Sequence, residues 1–171
     1  MLKKIAITGP ESTGKSILTD QLANFFQTIW VQEYARTYID HLNRPYEQKD
    51  ILQIAKNQVQ QVDLFSKKAD DLLFVDTELL VTKIWSEVKY GECDPWIIDQ
   101  FEKQDYDLYL LCAVDLPWEP DPQREHPEMR HKLFKIYQEN LEKYKLNYKI
   151  VKGSGSERLM NAVGFVNSCL D

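Results

Sequence analysis

The chain has 171 residues, a net charge of −6, three cysteines and three histidines. That length is expected to build one domain with a sizeable core, and the acidic balance argues against a surface that grips DNA or RNA over a broad face. Cys93, Cys112 and Cys169 are far apart with no C-x-x-C, and His41, His126 and His131 are scattered, so neither a disulfide framework nor a structural metal set is expected.

The first predicted strand is Lys4–Thr8. The first helix is Lys15–Phe26, with Ile17, Leu18, Leu22, Phe25 and Phe26 at helical spacing. Between them, Gly9-Pro10-Glu11-Ser12-Thr13-Gly14-Lys15-Ser16 fits G-x-x-x-x-G-K-[ST] at every fixed position. Each fixed residue has a physical task. The glycines let main-chain N–H groups close around phosphate oxygens, Lys15 carries charge to the outer phosphates, and the Ser16 hydroxyl suits Mg²⁺. A Gly-containing turn that happens to carry Lys-Ser is the plainer reading. The order strand, loop, helix favours the phosphate site, because the helix N-terminus adds its positive dipole end.

Further along, Trp30–Glu33 is a short second strand and Tyr46–Lys67 a long amphipathic helix with Ile51, Ile54, Ala55, Gln58, Val59, Val62 and Phe65 on one stripe. Leu72–Asp76 is a continuous apolar strand ending in an acid. Helices follow at Leu79–Lys89 and Pro95–Lys103, then a strand at Asp107–Cys112, a stretch dense in Pro, Asp and Glu at Asp115–Glu128, a helix at Glu128–Tyr144, a strand at Tyr148–Val151 and a last helix at Glu157–Cys169. No signal-peptide pattern precedes the first strand and no apolar run reaches transmembrane length, so a soluble cytoplasmic protein without a membrane partner is expected. Apolar strands alternating with helices predict a parallel sheet covered on both faces: an α/β, kinase-like three-layer α/β/α fold around the phosphate loop, with five parallel strands and a lid at about residues 117–130. Residues 1–171 are expected to form this single domain.

Ligands of such sheets gather at the carboxyl ends of the strands. Thr8, Glu33, Asp76 and the Asp115 region all lie there. Asp76 suits a Mg²⁺ partner of Ser16; a plain helix cap is its alternative. Glu33 suits an acid that orients or deprotonates an alcohol, with Arg36 binding a phosphate; a structural Glu–Arg pair is the alternative. Trp118 to Arg130, with Arg124 and Arg130 among prolines, suits a lid that excludes water and brings positive charge to a phosphoryl group; a solvated loop is the alternative. Gly153-Ser154-Gly155-Ser156 reads either as an adenine-side turn or as an ordinary Gly turn with a Ser cap. Tyr34, Tyr38, Trp85, Tyr90 and Trp118 are aromatic candidates for stacking on a base or pyridine ring.

Together, Gly9 to Ser16, Glu33-Tyr34-Ala35-Arg36, Asp76-Thr77, Asp107-Leu108-Tyr109-Leu110-Leu111 and Trp118-x-x-Asp121-x-x-Arg124 resemble the kinase domain of NadR-type proteins over nearly the whole chain. The resemblance implies ATP-dependent, Mg²⁺-assisted phosphorylation of a small nucleoside, nicotinamide riboside, to nicotinamide mononucleotide in NAD biosynthesis. Under it, Gly9 to Ser16 and Arg130 bind ATP, and Ser16 and Asp76 serve Mg²⁺. Lys15, Glu33, Asp76 and Arg124 form the catalytic set, and Glu33, Tyr34, Arg36, Asp76 and Trp118 contact the nucleoside. Two departures stand out: Gln32 where some relatives place an aromatic before Glu-Tyr, and Pro122 where Gly is frequent. No H-x-G-H nucleotidyl-transfer motif occurs. Deoxynucleoside kinases commonly carry Asp-Arg-Ser where this chain has Asp76-Thr77-Glu78; they remain an alternative, as does an ATP-binding regulatory sensor without turnover.

Overall fold

The computed structural model describes residues 1–171. Five strands, β1 (Lys3–Thr8), β2 (Trp30–Val31), β3 (Leu72–Asp76), β4 (Leu108–Cys112) and β5 (Tyr148–Val151), form one all-parallel sheet in the order β2-β3-β1-β4-β5. Seven helices connect them: α1 (Lys15–Phe25), α2 (Tyr34–Asp40), α3 (Gln48–Ser66), α4 (Leu79–Tyr90), α5 (Pro95–Glu102), α6 (Arg130–Lys143) and α7 (Gly155–Leu170). The sheet is apolar on both sides because the strand period of two sends alternate residues to opposite faces. Ile5, Ile7, Phe74, Leu108, Leu110 and Cys112 meet Leu18 and Leu22 of α1 and Ala162, Val163 and Val166 of α7. Ala6, Tyr109 and Leu111 meet α3 to α6 through Ile51, Leu80, Ile84, Ile97, Phe101, Leu133 and Leu141. The result is the three-layer α/β/α arrangement that the alternation of elements predicts. No helix is long and apolar enough to cross a membrane.

Several boundaries differ from the sequence reading, each for a local reason. The second strand stops at Val31 instead of Glu33, because Tyr34 already begins α2. That helix went unread: it is short, and Ala35 is its one buried residue. The long helix starts at Gln48, where a reciprocal capping box ties Glu47 to Asp50, the Glu47 N–H donating to Asp50 Oδ2 at 2.7 Å. The helix predicted from Glu128 opens instead as a 3₁₀ turn, Pro127–Met129, before α6 begins at Arg130. The last helix begins two residues early, at Gly155, with Ser154 in the cap position but making no side-chain cap bond.

β1 lies in the middle of the sheet, between β3 and β4, so the loop that leaves it emerges at the centre of the carboxyl edge. The loop has to hug β4 there. Gly9 has φ +133°, and a Cβ on it would sit 3.1 Å from the Cys112 carbonyl oxygen, which is why glycine is needed at this turn.

Candidate active site

Residues 9–16 fold back on themselves ahead of α1. The Thr13 hydroxyl donates to the Pro10 carbonyl at 2.8 Å, and Lys15 Nζ donates to the carbonyls of Gly9 and Pro10 at 2.9 and 2.8 Å. These bonds hold the ammonium over the mouth of the loop. Gly14 takes φ 73° at the N-cap of α1, and Ser12 φ 55°. Behind the loop lies Arg158, only 4% exposed. Its guanidinium donates to the Thr13 carbonyl at 2.7 Å, to Asp115 Oδ1 at 2.6 Å and to the Gly153 carbonyl at 2.9 Å, while the Gly153 N–H donates to Asp115 Oδ2 at 2.7 Å. One buried cation thus joins the loop to the turn after β5. The sequence offered one signal for it: a cation in the first turn of α7 has the wrong sign for the helix dipole.

Two carboxylates meet the loop from the neighbouring strands. Asp76 is 1% exposed and accepts from Ser16 Oγ at 2.5 Å. Burial raises its pKa above the ordinary carboxylate range, opposed by the Ser16 hydroxyl and the Lys15 charge. Glu33 keeps part of its surface on the cavity but is otherwise ringed by protein; burial first, and then the Asp76 charge, raise its pKa as well. Gln58 of α3, 3% exposed, sets the spacing between the strand ends that carry them. Its Oε1 accepts from the Tyr34 N–H at 2.9 Å, and its Nε2 donates to the Thr77 carbonyl at 2.9 Å. Thr77 has φ +67°, a conformation costing a β-branched residue about 1–3 kcal/mol, so this carbonyl is aimed against a local strain. Next to it Glu78, 1% exposed, caps α4 and accepts from Thr8 Oγ1 at 2.9 Å and from the Leu80 N–H at 2.5 Å. Burial pushes its pKa up to about 7.

A cavity of about 230 Å³ opens between the loop and α4. Its floor is the loop with Glu33 and Arg36. Its apolar wall is Val81, Ile84, Trp85 and Val88 of α4 with Leu133 and Tyr137 of α6, and residues 116–126 roof it. The roof is fastened to the loop. The Glu119 N–H donates to Ser12 Oγ at 2.9 Å, the N–H groups of Glu125 and His126 donate to the Glu11 carboxylate at 3.1 Å, and Arg130 donates to the carbonyls of Ser12 and Leu116 at 3.0 and 2.9 Å. It is also fastened to Lys89 of α4 and to Tyr46, which precedes α3: Tyr46 Oη and Lys89 Nζ both donate to the Glu125 carboxylate at 2.7 Å.

The structure therefore brings Gly9 to Ser16, Glu33, Arg36 and Arg124 to one cavity, with Asp76 directly behind Ser16. Arg36 pairs with Asp121 at 2.9 Å and not with Glu33, because α2 turns its side chain toward the roof. The Arg124 guanidinium bonds the Glu119 carbonyl. Three of the five nucleoside-contact candidates stand off the lining: Asp76 behind Ser16, Tyr34 and Trp118. Tyr34 packs against Tyr38 with centroids 6.2 Å apart, and Trp118 lies beneath the Arg130 guanidinium at 5.6 Å. Tyr90 is exposed. Of the stacking candidates Trp85 lines the cavity, joined by Tyr137 of α6.

A family model described as an AAA domain matches residues 4–158. The chain is 29% identical over 151 residues to the trifunctional NAD biosynthesis/regulator protein NadR of Escherichia coli (strain K12), covering 81% of this chain and 36% of that protein. It is 32% identical over 124 residues to the protein of the same name from Salmonella typhimurium, covering 70% and 30%. The chain thus spans about a third of the length of these curated relatives. Among solved structures, a NadR protein in complex with NR superposes with a TM-score of 0.79 at 21% identity over 98% of this chain and 51% of that one. A deoxyadenosine kinase from M. mycoides superposes at 0.70 and 17% over 96% and 99%, which shows a shared fold.

Proposed function

The chain belongs to the AAA-domain family, and from that premise we propose that it is an ATP-dependent kinase that phosphorylates a small nucleoside, nicotinamide riboside foremost. One observation carries the reading: a phosphate-binding loop faces a half-buried carboxylate and an aromatic wall across a single cavity of about 230 Å³. A phosphate grip at one end and an apolar, aromatic wall at the other suit a nucleoside set against a nucleotide's outer phosphates. Relatives named for NAD biosynthesis, and a superposing structure in complex with NR, support the choice of acceptor.

In this reading residues 9–16 wrap the β- and γ-phosphates with main-chain N–H groups, and Lys15 turns from the Gly9 and Pro10 carbonyls to the phosphate oxygens. Ser16 and Asp76 are hard oxygen donors that already meet, so they fit Mg²⁺. Bound there, the ion would neutralise charge on the phosphates. No group of three or more His, Cys, Asp or Glu side chains converges to hold a metal alone, so the nucleotide would supply further ligands. Glu33 orients the acceptor's 5′-hydroxyl and takes its proton as the oxygen attacks the γ-phosphorus and the bond to the β-phosphate oxygen breaks. Its raised pKa fits it to hold that proton. Trp85 and Tyr137 flank the base, and their ring faces favour a cationic ring such as a pyridinium. Residues 117–130 act as the lid, with Arg124 turning from the Glu119 carbonyl toward the transferring group.

The test is a Mg·ATP assay over a nucleoside panel that includes nicotinamide riboside, cytidine and deoxyadenosine, read by ADP release and by the mass of the product. The expected result is 5′-phosphorylation, with kcat/KM for nicotinamide riboside at least tenfold above the others. Preference for another nucleoside sinks the acceptor assignment alone. ATP binding with no phosphorylated product from any of them sinks the kinase and leaves a nucleotide sensor.

A further inference from the structure

A single roof residue is held from both sides of the cavity. The Glu125 N–H donates to the Glu11 carboxylate of the phosphate loop, 3.1 Å to Oε2 and 3.3 Å to Oε1. The Glu125 side chain reaches the opposite way, accepting from Tyr46 Oη at 2.7 Å on Oε2 and from Lys89 Nζ at 2.7 Å on Oε1. Tyr46 Oη has used its hydrogen on Glu125, and its two lone pairs accept from Lys89 Nζ at 2.5 Å and Trp85 Nε1 at 2.9 Å. The Tyr46 ring stands edge-on to the indole at 4.9 Å, with the Lys89 ammonium over its face at 4.0 Å. The indole is itself cavity wall. A continuous line therefore runs from the loop that would hold the phosphates, through Glu125, to the wall that would hold the acceptor's ring.

The side chains of Lys89 and Glu125 are 32% and 31% exposed, so their pairing is screened by water and contributes little by itself. Its geometry depends on Tyr46, and the Tyr46 hydroxyl depends on where the indole N–H points. A ring stacked on Trp85 fixes the indole, which fixes Tyr46, which seats Glu125 and with it the two lid amides on Glu11.

Building on the kinase reading, we propose that Tyr46 and Glu125 are positioning residues that couple occupancy of the acceptor wall to seating of the lid on the phosphate loop. Coupling of this kind is reciprocal: an acceptor that seats the lid tightens the nucleotide, and the nucleotide tightens the acceptor by the same factor.

The experiment uses the full chain and Tyr46→Phe, which keeps the ring and deletes the hydroxyl, with Glu125→Gln as a second variant. Hydrogen exchange on the ligand-free proteins comes first. The amides of Glu125 and His126 should exchange at least tenfold faster in Tyr46→Phe, while the amides of β1 and β3 keep their wild-type rates; a merely structural loss would speed all of them. Next, the Kd of Mg·AMP-PNP is measured with and without saturating nicotinamide riboside. Wild type should bind about tenfold more tightly with the riboside present, and both variants should show a ratio near one. Unchanged exchange at Glu125 and His126, no enhancement in wild type by any nucleoside of the panel, or enhancement kept in the variants each overturns the coupling. None of these readouts requires turnover, so failure of the kinase reading shows separately, as synergy without phosphorylated product.

Discussion

Glu78 offers the sharpest test of the electrostatics at the carboxyl edge. Its carboxyl is 1% exposed and has two donors, Thr8 Oγ1 and the Leu80 N–H, with no cation bonded to it. Burial outweighs both bonds and moves its pKa from 4.5 to about 7. The sign follows from the direction. A carboxyl raised on folding contributes stability that is fully present below its unfolded value, near 4.5, and is lost as pH climbs through about 7. At about 1.4 kcal/mol per pH unit between the two midpoints the whole effect is about 3 kcal/mol, and the part falling between pH 5 and pH 8.5 is about 2.5 kcal/mol. Glu78→Gln keeps the shape and both contacts: its carbonyl accepts from Leu80 N–H and its amide donates to Thr8, whose hydroxyl rotates to accept. The assay is urea unfolding of both proteins at pH 5 and pH 8.5. Asp76 and Glu33 are raised in the same direction, so wild type carries their slopes too, and the variant retains them. The difference between the two slopes isolates Glu78. The variant's stability relative to wild type should rise by about 2.5 kcal/mol between pH 5 and pH 8.5. Equal slopes would mean that Glu78 is ionised at pH 5 in the fold, and that water or a cation reaches it.

Three further outcomes follow from the site. Glu33→Gln should lower kcat by about a hundredfold with Mg·AMP-PNP affinity within about threefold of wild type, and it should remove an acid limb of the kcat–pH profile lying above the ordinary carboxylate range; a kcat left intact ends the assignment. Lys15→Ala should reduce product formation by at least about a thousandfold, while thermal unfolding shows a loss of only about 1 kcal/mol from the two bonds to Gly9 and Pro10. Gln58→Leu strands the buried Tyr34 N–H and Thr77 carbonyl, so chemical denaturation should show a loss of about 2–4 kcal/mol. The same variant should lower kcat, since Glu33 and Asp76 lose their common strut.

The phosphate loop was legible because its chemistry is written in eight consecutive residues between a strand and a helix, and the sheet because apolar runs such as Leu72–Asp76 have no other stable use at that length. The path of residues 30–40 was not: α2 is a seven-residue helix with one buried residue, and nothing in its pattern separates it from a loop. Its unread turn sends Arg36 to Asp121 and takes Tyr34 off the cavity wall. The connection from Trp85 through Tyr46 to Glu125 was invisible for a different reason. Trp85 and Lys89 sit four apart on one helix, but Tyr46 and Glu125 come from loops whose approach depends on the whole fold.

Gln58, Glu78 and Arg158 form a class between these extremes. Gln58 falls on the apolar stripe of α3 among Ala55, Val59 and Val62, where only a residue heading into the protein belongs. A buried amide cannot stay unpaired, and on a helix packed against strand ends the unpaired groups within reach are main-chain N–H and C=O at the carboxyl edge. The same logic applies to Glu78 behind the strand-end acid and to Arg158 at the start of α7. Each is a buried polar side chain, and each satisfies backbone beside the loop or the strand ends that frame it. Such out-of-place polar residues mark where a fold has to hold irregular backbone still, and irregular backbone held still is what a phosphate-binding edge consists of.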